Sequence, residues 1–483
     1  MADAKETEIS LKVVIERDTK KIVFAEANSD FVDILFSFLT LPMGTIVRLL
    51  ANGSDPSHEK VNIGGFNNLY ESVANLDAMY FRTKECQDML LRTRNSAEVQ
   101  CQNLKINIDD MKPIQYFICE YLCSKTWNSS NTHLSTCSSA RCKNCPYLLN
   151  RAIHFDAMGE GVFVPKTSSF VISDDLHVIP NNLTSTLGIL ESRGIKDFAT
   201  LEENTMKLGS SEILHLLERS FLSETPLSDI CLGKKWISSQ IPAIQSPIRT
   251  ECSDGAKEIK VKVYVQKSIN KILLAHCSED FIDFLFSLLP VPLGKLISLL
   301  TKDHESLSIE NIYQSVLELN VGEYLKSQQL KDMLLYPKLL SHYLCTNHIF
   351  PLEEADSNKF LKQSTSGGSY DYSLTLDSTQ AHKNLIDQSP NLKLEGGFVR
   401  WPTKFMVTDD LVVTPFSSMS CFTYLHSLKV PPDDIEEQVI DIGIHEALHL
   451  LRASLTSTSV LSNGLKFFIL KNLKQTGSKQ AKV

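Results

Sequence analysis

The sequence has no uninterrupted apolar run of membrane-spanning length. Its most apolar stretch, residues 30–50 (DFVDILFSFLTLPMGTIVRLL), is broken by Asp33, Pro42 and Arg48. A span needs roughly 20 residues with few or no charges, so a buried helix is expected here. The opening MADAKETEIS lacks the basic and then apolar regions of a secretory signal. No Lys/Arg run stands out, and 48 basic residues face 57 acidic ones for a net charge of −9. Broad electrostatic binding to DNA or to anionic membranes is thereby disfavoured, with a local basic patch left open. Also missing are a G-x-x-x-x-G-K-[ST] loop, a G-x-G-x-x-G turn and a G-x-S-x-G elbow. No strand interleaves aromatic and basic residues as RNA-binding sheets do. These absences leave no standard nucleotide site or serine nucleophile.

What is present is a pattern stated twice. The 483 residues are 43% hydrophobic and 22% charged, enough for two or more domains with sizeable cores. Residues 280–300 (DFIDFLFSLLPVPLGKLISLL) repeat residues 30–50, and 11–50 aligned with 261–300 gives sixteen identities in forty positions. GVFVPKTSSFVISDDL at 161–176 meets GGFVRWPTKFMVTDDL at 396–411, with seven identities in sixteen. SEILHLLERS at 211–220 meets HEALHLLRAS at 445–454. In each copy a Val/Ile/Phe-rich hairpin precedes a helix. Ser29 or Asp30 is the expected cap of the first copy's helix. Phe31, Ile34, Leu35 and Phe38 form its apolar face, with Asp33 off that face. Pro42 ends the helix, and the Pro-x-Gly corner that follows reads as a packing corner rather than a partner site. Residues 67–79 predict a further amphipathic helix.

The copies differ most at cysteine. The first has Cys119 and Cys123, then Cys137, Cys142 and Cys145, which resembles a small zinc ribbon. Cys119, Cys123, Cys142 and Cys145 are the expected ligands of a structural zinc ion, with His133 and Cys137 as alternatives. The second copy has instead a polar stretch over 352–396, expected to be a flexible loop. With no export signal, the cysteines indicate a reducing compartment, the cytoplasm and with it the nucleus. Asn128-Ser-Ser and Asn182-Leu-Thr would then be idle as glycosylation sites.

Two motifs suggest catalysis. Asp174-Asp175 and Asp409-Asp410 are paired carboxylates, but neighbours on a strand point to opposite faces, and Asp-Asp after a strand suits a turn. His445-Glu446-Ala447-Leu448-His449 has the H-E-x-x-H spacing of a zinc peptidase. Against that, no Asp, Glu or His follows His449, and Arg452 shares the stripe. The aligned helix also has Ser211 where a histidine ligand is needed. The shared Glu and His read as helix architecture. Gly64-Gly65 and Gly396-Gly397 read as turns and strand starts.

Taken together, the opening hairpin and helix, NLYESVANLD, CQDMLL, FVISDDL and LLRASLTS resemble a plant family, domain of unknown function 674, over essentially the whole chain. The resemblance implies tandem copies with cysteine pairs in the first, and no activity. The fold expected is α+β: two homologous domains from an internal duplication, each a β-hairpin, a helical middle, a second β segment and a closing helix. The domains would be 1–230 and 259–473, packed about a pseudo-twofold interface, with a linker at 231–258 and a disordered tail at 474–483. The expected function is a non-enzymatic binding or scaffold protein with a protein partner, no membrane and no nucleic acid. The alternative is an enzyme with its site between the domains, using Asp174/Asp175 or Asp409/Asp410 and a histidine.

Overall fold

A computed structural model describes residues 7–53, 63–119, 131–143, 145–155, 161–231, 258–300, 307–344, 348–355, 360–366, 369–375, 383–387 and 396–469. Most of 231–258 and all of 474–483 lie outside these residues. The first half contains β1 (Ile9–Glu16), β2 (Lys21–Asn28), β3 (Tyr116–Ile118), β4 (Asn131–Ser135), β5 (Arg151–Ile153), β6 (Ser169–Ser173), β7 (Val178–Pro180) and β8 (Leu201–Leu208). The second contains β9 (Ile259–Gln266), β10 (Lys271–Ser278), β11 (Phe360–Ser366), β12 (Ser369–Thr375), β13 (Lys383–Asp387), β14 (Lys404–Thr408), β15 (Val413–Pro415) and β16 (Ile435–Ile442).

These strands build an α+β fold with three sheets. Two have five strands each, in the orders β7-β6-β2-β1-β8 and β15-β14-β10-β9-β16. Alternation sets their inner faces, with Ile9, Leu11 and Val13 buried from β1 and Ile259, Val261 and Val263 from β9. One contiguous apolar core takes residues from both halves. The two Pro-x-Gly corners meet inside it. Pro42 bridges to Pro292, Met43 N–H donates to the Val291 carbonyl at 3.1 Å, and Leu293 N–H donates to the Leu41 carbonyl at 2.9 Å. The corner is therefore a packing corner whose partner is the other corner. A Cβ on Gly294 would lie 2.3 Å from the Leu334 carbonyl oxygen, so the close approach requires glycine there.

The halves also exchange polar contacts, each supplied by a helix of one to the β-turn of the other. From the helix Phe66–Asn75, Asn68 Nδ2 donates to the Asp410 carbonyl at 2.8 Å, and Ser72 Oγ accepts from Val413 N–H at 2.9 Å. From the helix Ser308–Glu318, Asn311 Nδ2 donates to the Asp175 carbonyl at 2.9 Å, and Ser315 Oγ accepts from Val178 N–H at 2.8 Å. The sequence carries the signal as NLYESV at 68–73 and NIYQSV at 311–316, with Asn and Ser one helical turn apart.

The third sheet has six strands in the order β12-β11-β13-β4-β3-β5, and so combines the insertions of both halves. The parallel pair β13–β4 joins them, and Leu374 N–H donates to the His154 carbonyl at 2.8 Å, bringing the two edge strands together. Tyr116, Ile118, Leu134, Ile153 and Leu374 fill its interior. This corrects the expectation of a flexible loop over 352–396, because three strands lie there. The composition is polar, but β13 pairs with a strand more than two hundred residues earlier, so no local pattern reveals it.

Two further expectations change. The helix Ser29–Ser37 is capped by Asn28, whose side chain accepts from Phe31 N–H, rather than by Ser29 or Asp30. Asp33, expected off the apolar face, is 3% exposed. Its Oδ2 accepts from Val162 N–H, and its Oδ1 from Phe163 and Val164 N–H, at 2.7–3.0 Å. Asp283 does the same for Phe398 and Val399, with both bonds on Oδ1. Each carboxylate thus clamps the strand-like segment that leads to β6 or β14. Each clamp also meets a base from the other half: Lys326 Nζ donates to the Gly161 carbonyl, and Arg82 N–H donates to the Phe398 carbonyl.

The different use of oxygens gives a test. Burial pushes the Asp33 carboxyl up and the Asp283 carboxyl up to about 7, against the backbone donors that favour the charged form. A raised carboxyl takes up a proton on folding. The Asp283 contribution is therefore full below the unfolded value of about 4 and is lost as pH rises to about 7. Asp283→Asn keeps an oxygen for both donors and should flatten that slope in urea denaturation at little cost. Asp33→Asn sets an amide N–H2 against a backbone donor and should cost about 1–3 kcal/mol. Equal costs for the two variants would contradict this assignment.

Candidate metal centre

Cys119 follows β3 directly and is 1% exposed. Cys142 and Cys145 lie in a tight hairpin. Leu149 N–H donates to the Ala140 carbonyl at 2.8 Å, Cys142 N–H donates to the Tyr147 carbonyl at 2.9 Å, and Arg141 bridges to Leu148. Cys119, Cys142 and Leu149 form a small buried cluster with Phe117, Ala140 and Cys145 against it, which fixes the hairpin beside the end of β3.

The three sulfurs lie within 4.8 Å of one another, and Cys119 Sγ to Cys145 Sγ is 3.5 Å. A disulfide needs about 2.05 Å. Thiolates at the corners of a zinc tetrahedron, each about 2.3 Å from the ion, lie about 3.8 Å apart. The observed spacing fits the second arrangement, and soft thiolate donors suit zinc better than a hard cation. Of the four ligands predicted from sequence, three converge; Cys123 lies outside the described residues. His133 is buried on β4 and Cys137 Sγ is 3.0 Å from Ser139 Oγ, and neither belongs to the group.

The other motifs do structural work. Glu446 Oε2 accepts from Gly443 N–H at 3.0 Å, closing the N-terminus of the helix Ile444–Thr456. Glu212 does so for Gly209 at 2.9 Å in the helix Ser210–Leu222. The proposed general base of an H-E-x-x-H site is thus a helix cap, and the His449 ring packs 5.5 Å from Phe468.

Asp174 and Asp409 are buried beneath their sheets. Ser228 donates to Asp174 through N–H and Oγ, both at 2.8 Å, while its Oγ accepts from Ile22 N–H. Ser462 N–H donates to Asp409 at 2.7 Å, and its Oγ accepts from Ile272 N–H at 2.9 Å. Ile22 and Ile272 flank the register shifts of their hairpins, where an amide turns away from the ladder. Burial raises both carboxyls, and the serine bonds oppose it. Asp175 and Asp410 instead accept from Ser173 and Thr408 and hold the turns in which Leu176 and Leu411 have φ of +69° and +67°. Each pair diverges in the turn that follows its strand.

Two open clefts border these turns. One, of about 430 Å³, is lined by Lys271, Asp409, Asp410, Thr414 and Tyr424. The other, of about 200 Å³, is lined by Asp175, His177 and Arg193. Lys271 Nζ lies 3.6 Å from Asp409, and His177 Nε2 lies 3.1 Å from Glu318. Among the described residues no helix is long and apolar enough to cross a membrane.

An α+β protein with a three-thiol cluster and no assembled catalytic constellation among its described motifs is what these elements define. A family model described as a protein of unknown function, DUF674, matches residues 5–445, and the chain belongs to that family. No curated protein and no solved structure matches it.

If Glu446 is a cap, Glu446→Ala should lower stability by about 1 kcal/mol, and Glu212→Ala by a similar amount. Thermal unfolding of the two variants measures this. A stability unchanged in Glu446→Ala would reopen a chemical role for the motif.

Proposed function

We propose that the protein is a non-enzymatic binding or scaffold protein of the plant cell, built by internal duplication, with a structural zinc ion in its first half. The observation that carries the metal reading is the convergence of Cys119, Cys142 and Cys145 at thiolate-cage spacing. Cys123 completes the set in this reading, and four thiolates close the coordination shell, which makes the role structural. The ion would tie the end of β3 to the hairpin of residues 140–149, and through β4 and β13 would steady the sheet shared by both halves. Thiolate ligands, with no disulfide among the described residues, suit a reducing cytoplasm or nucleus. The corresponding order of the two five-stranded sheets supports duplication.

A second reading, an enzyme with its site between the halves, draws on the clefts at Asp175 and Asp410, but each cleft is lined by residues of a single half. The turn-building bonds of both aspartates favour the scaffold instead.

Metal analysis of purified protein should give close to one zinc per chain, lost in Cys142→Ser and in Cys119→Ser. Hydrogen exchange should then speed up in β3, β4 and β13, with the β1–β2 hairpin unaffected. Zinc well below one per chain, unchanged by either substitution, overturns the reading.

A further inference from the structure

The second half carries an exposed surface that is both aromatic and basic. The helix Ser418–Ser427 has no buried side chain. One side rests on its sheet, where Cys421 Sγ lies 3.4 Å from Met406 Sδ of β14. On the other, Met419 and Phe422 are 72% and 66% exposed. With the exposed His426 they fall at i, i+3 and i+7, a single stripe, and the exposed Lys429 follows just past the helix end. Trp401, 70% exposed, lies in the sequence between the exposed Arg400 and Lys404, just before β14. Phe416 N–H donates to the Lys404 carbonyl at 2.9 Å, which lays the entry to β14 alongside the start of the helix.

Charge separates this face from the rest of the chain. Residues 396–408 and 411–432 contain no Asp or Glu, in a protein of net charge −9. Of the nearest acids, Asp410 bonds Asn68, Asp409 bonds Ser462 and Asp434 bonds Ser268 and Gln266, while Asp433, four residues after Lys429, is exposed. At the aligned positions the first half has Pro165, Lys166, Ser169, Thr184, Leu187, Glu191 and Gly194. The second half therefore has Trp401, Met419 and Phe422 where the first has Lys166, Thr184 and Leu187.

We propose that this face docks on an anionic lipid bilayer. Trp401, Met419 and Phe422 enter the boundary between headgroups and acyl chains, where tryptophan and other bulky apolar side chains are favoured. Arg400, Lys404 and Lys429 meet the negative headgroups within a Debye length of the surface. A plane suits the stripe better than a peptide does, because Trp401, Met419 and Phe422 line neither cleft beside the Asp turns. The attachment is peripheral and independent of the metal centre.

The test is co-sedimentation of the full-length protein with phosphatidylcholine vesicles, with and without about 30% phosphatidylserine. Binding should favour the anionic vesicles by about tenfold and weaken with salt. Tryptophan emission should shift to the blue on binding, and should not in Trp401→Phe. Trp401→Ser/Phe422→Ser and Lys404→Glu/Lys429→Glu should each lose binding with unchanged far-ultraviolet circular dichroism, because all four side chains are exposed. No binding, equal binding to neutral vesicles, or binding retained by both double variants overturns the proposal. So does a dimer that Trp401→Ser/Phe422→Ser dissociates, since a second copy would then cover the face.

Discussion

Each half of this protein leaves backbone donors that only the other half satisfies. Val178 and Val413 present buried amides at the ends of their β-turns, and the acceptors are Ser315 and Ser72 across the molecule. A buried amide without a partner costs about 1–3 kcal/mol, a large share of a domain's net stability of about 5–15 kcal/mol. The Asn68 and Asn311 contacts, the paired proline corners and the common apolar core act in the same direction. Interlocking therefore constrains the sequence at both ends of each contact, which is why Asn and Ser recur at the same helical spacing in both halves.

The clamps extend that logic to the interior. Asp33 and Asp283 stay buried because backbone N–H groups surround them, and each clamped segment takes a bond from a basic residue of the opposite half. A carboxylate at such a place organises a chain reversal without performing chemistry. The same holds for Asp174 and Asp409, which hold a serine that in turn caps an amide released by a hairpin irregularity. The third sheet adds a further link, since its strands come from insertions on both sides.

Local features of the fold were legible in the sequence, and distant ones were not. The hairpins, the helix beginning near Ser29 and its end before Pro42 follow from alternation, helical periodicity and proline geometry. The cluster of Cys119, Cys142 and Cys145 could be read from cysteine spacing, because its hairpin is local. Asp33 lies off the apolar face as periodicity places it, but its burial is not legible there, because it depends on amides some 130 residues away. The strands between 360 and 387 were missed for a related reason: their composition is polar, and part of their pairing lies in the other half. The role of Glu446 was visible only by comparison with Glu212, since the H-E-x-x-H spacing alone does not distinguish a cap from a base.

The central claim is that the halves are one cooperative unit rather than two domains resting together. Its most direct test is chemical denaturation of residues 1–230 and 259–483, prepared separately and then mixed. The exchanged contacts predict that neither fragment alone unfolds cooperatively and that mixing restores a single transition. A cooperative transition in the isolated first fragment, as stable as the full chain, would contradict it.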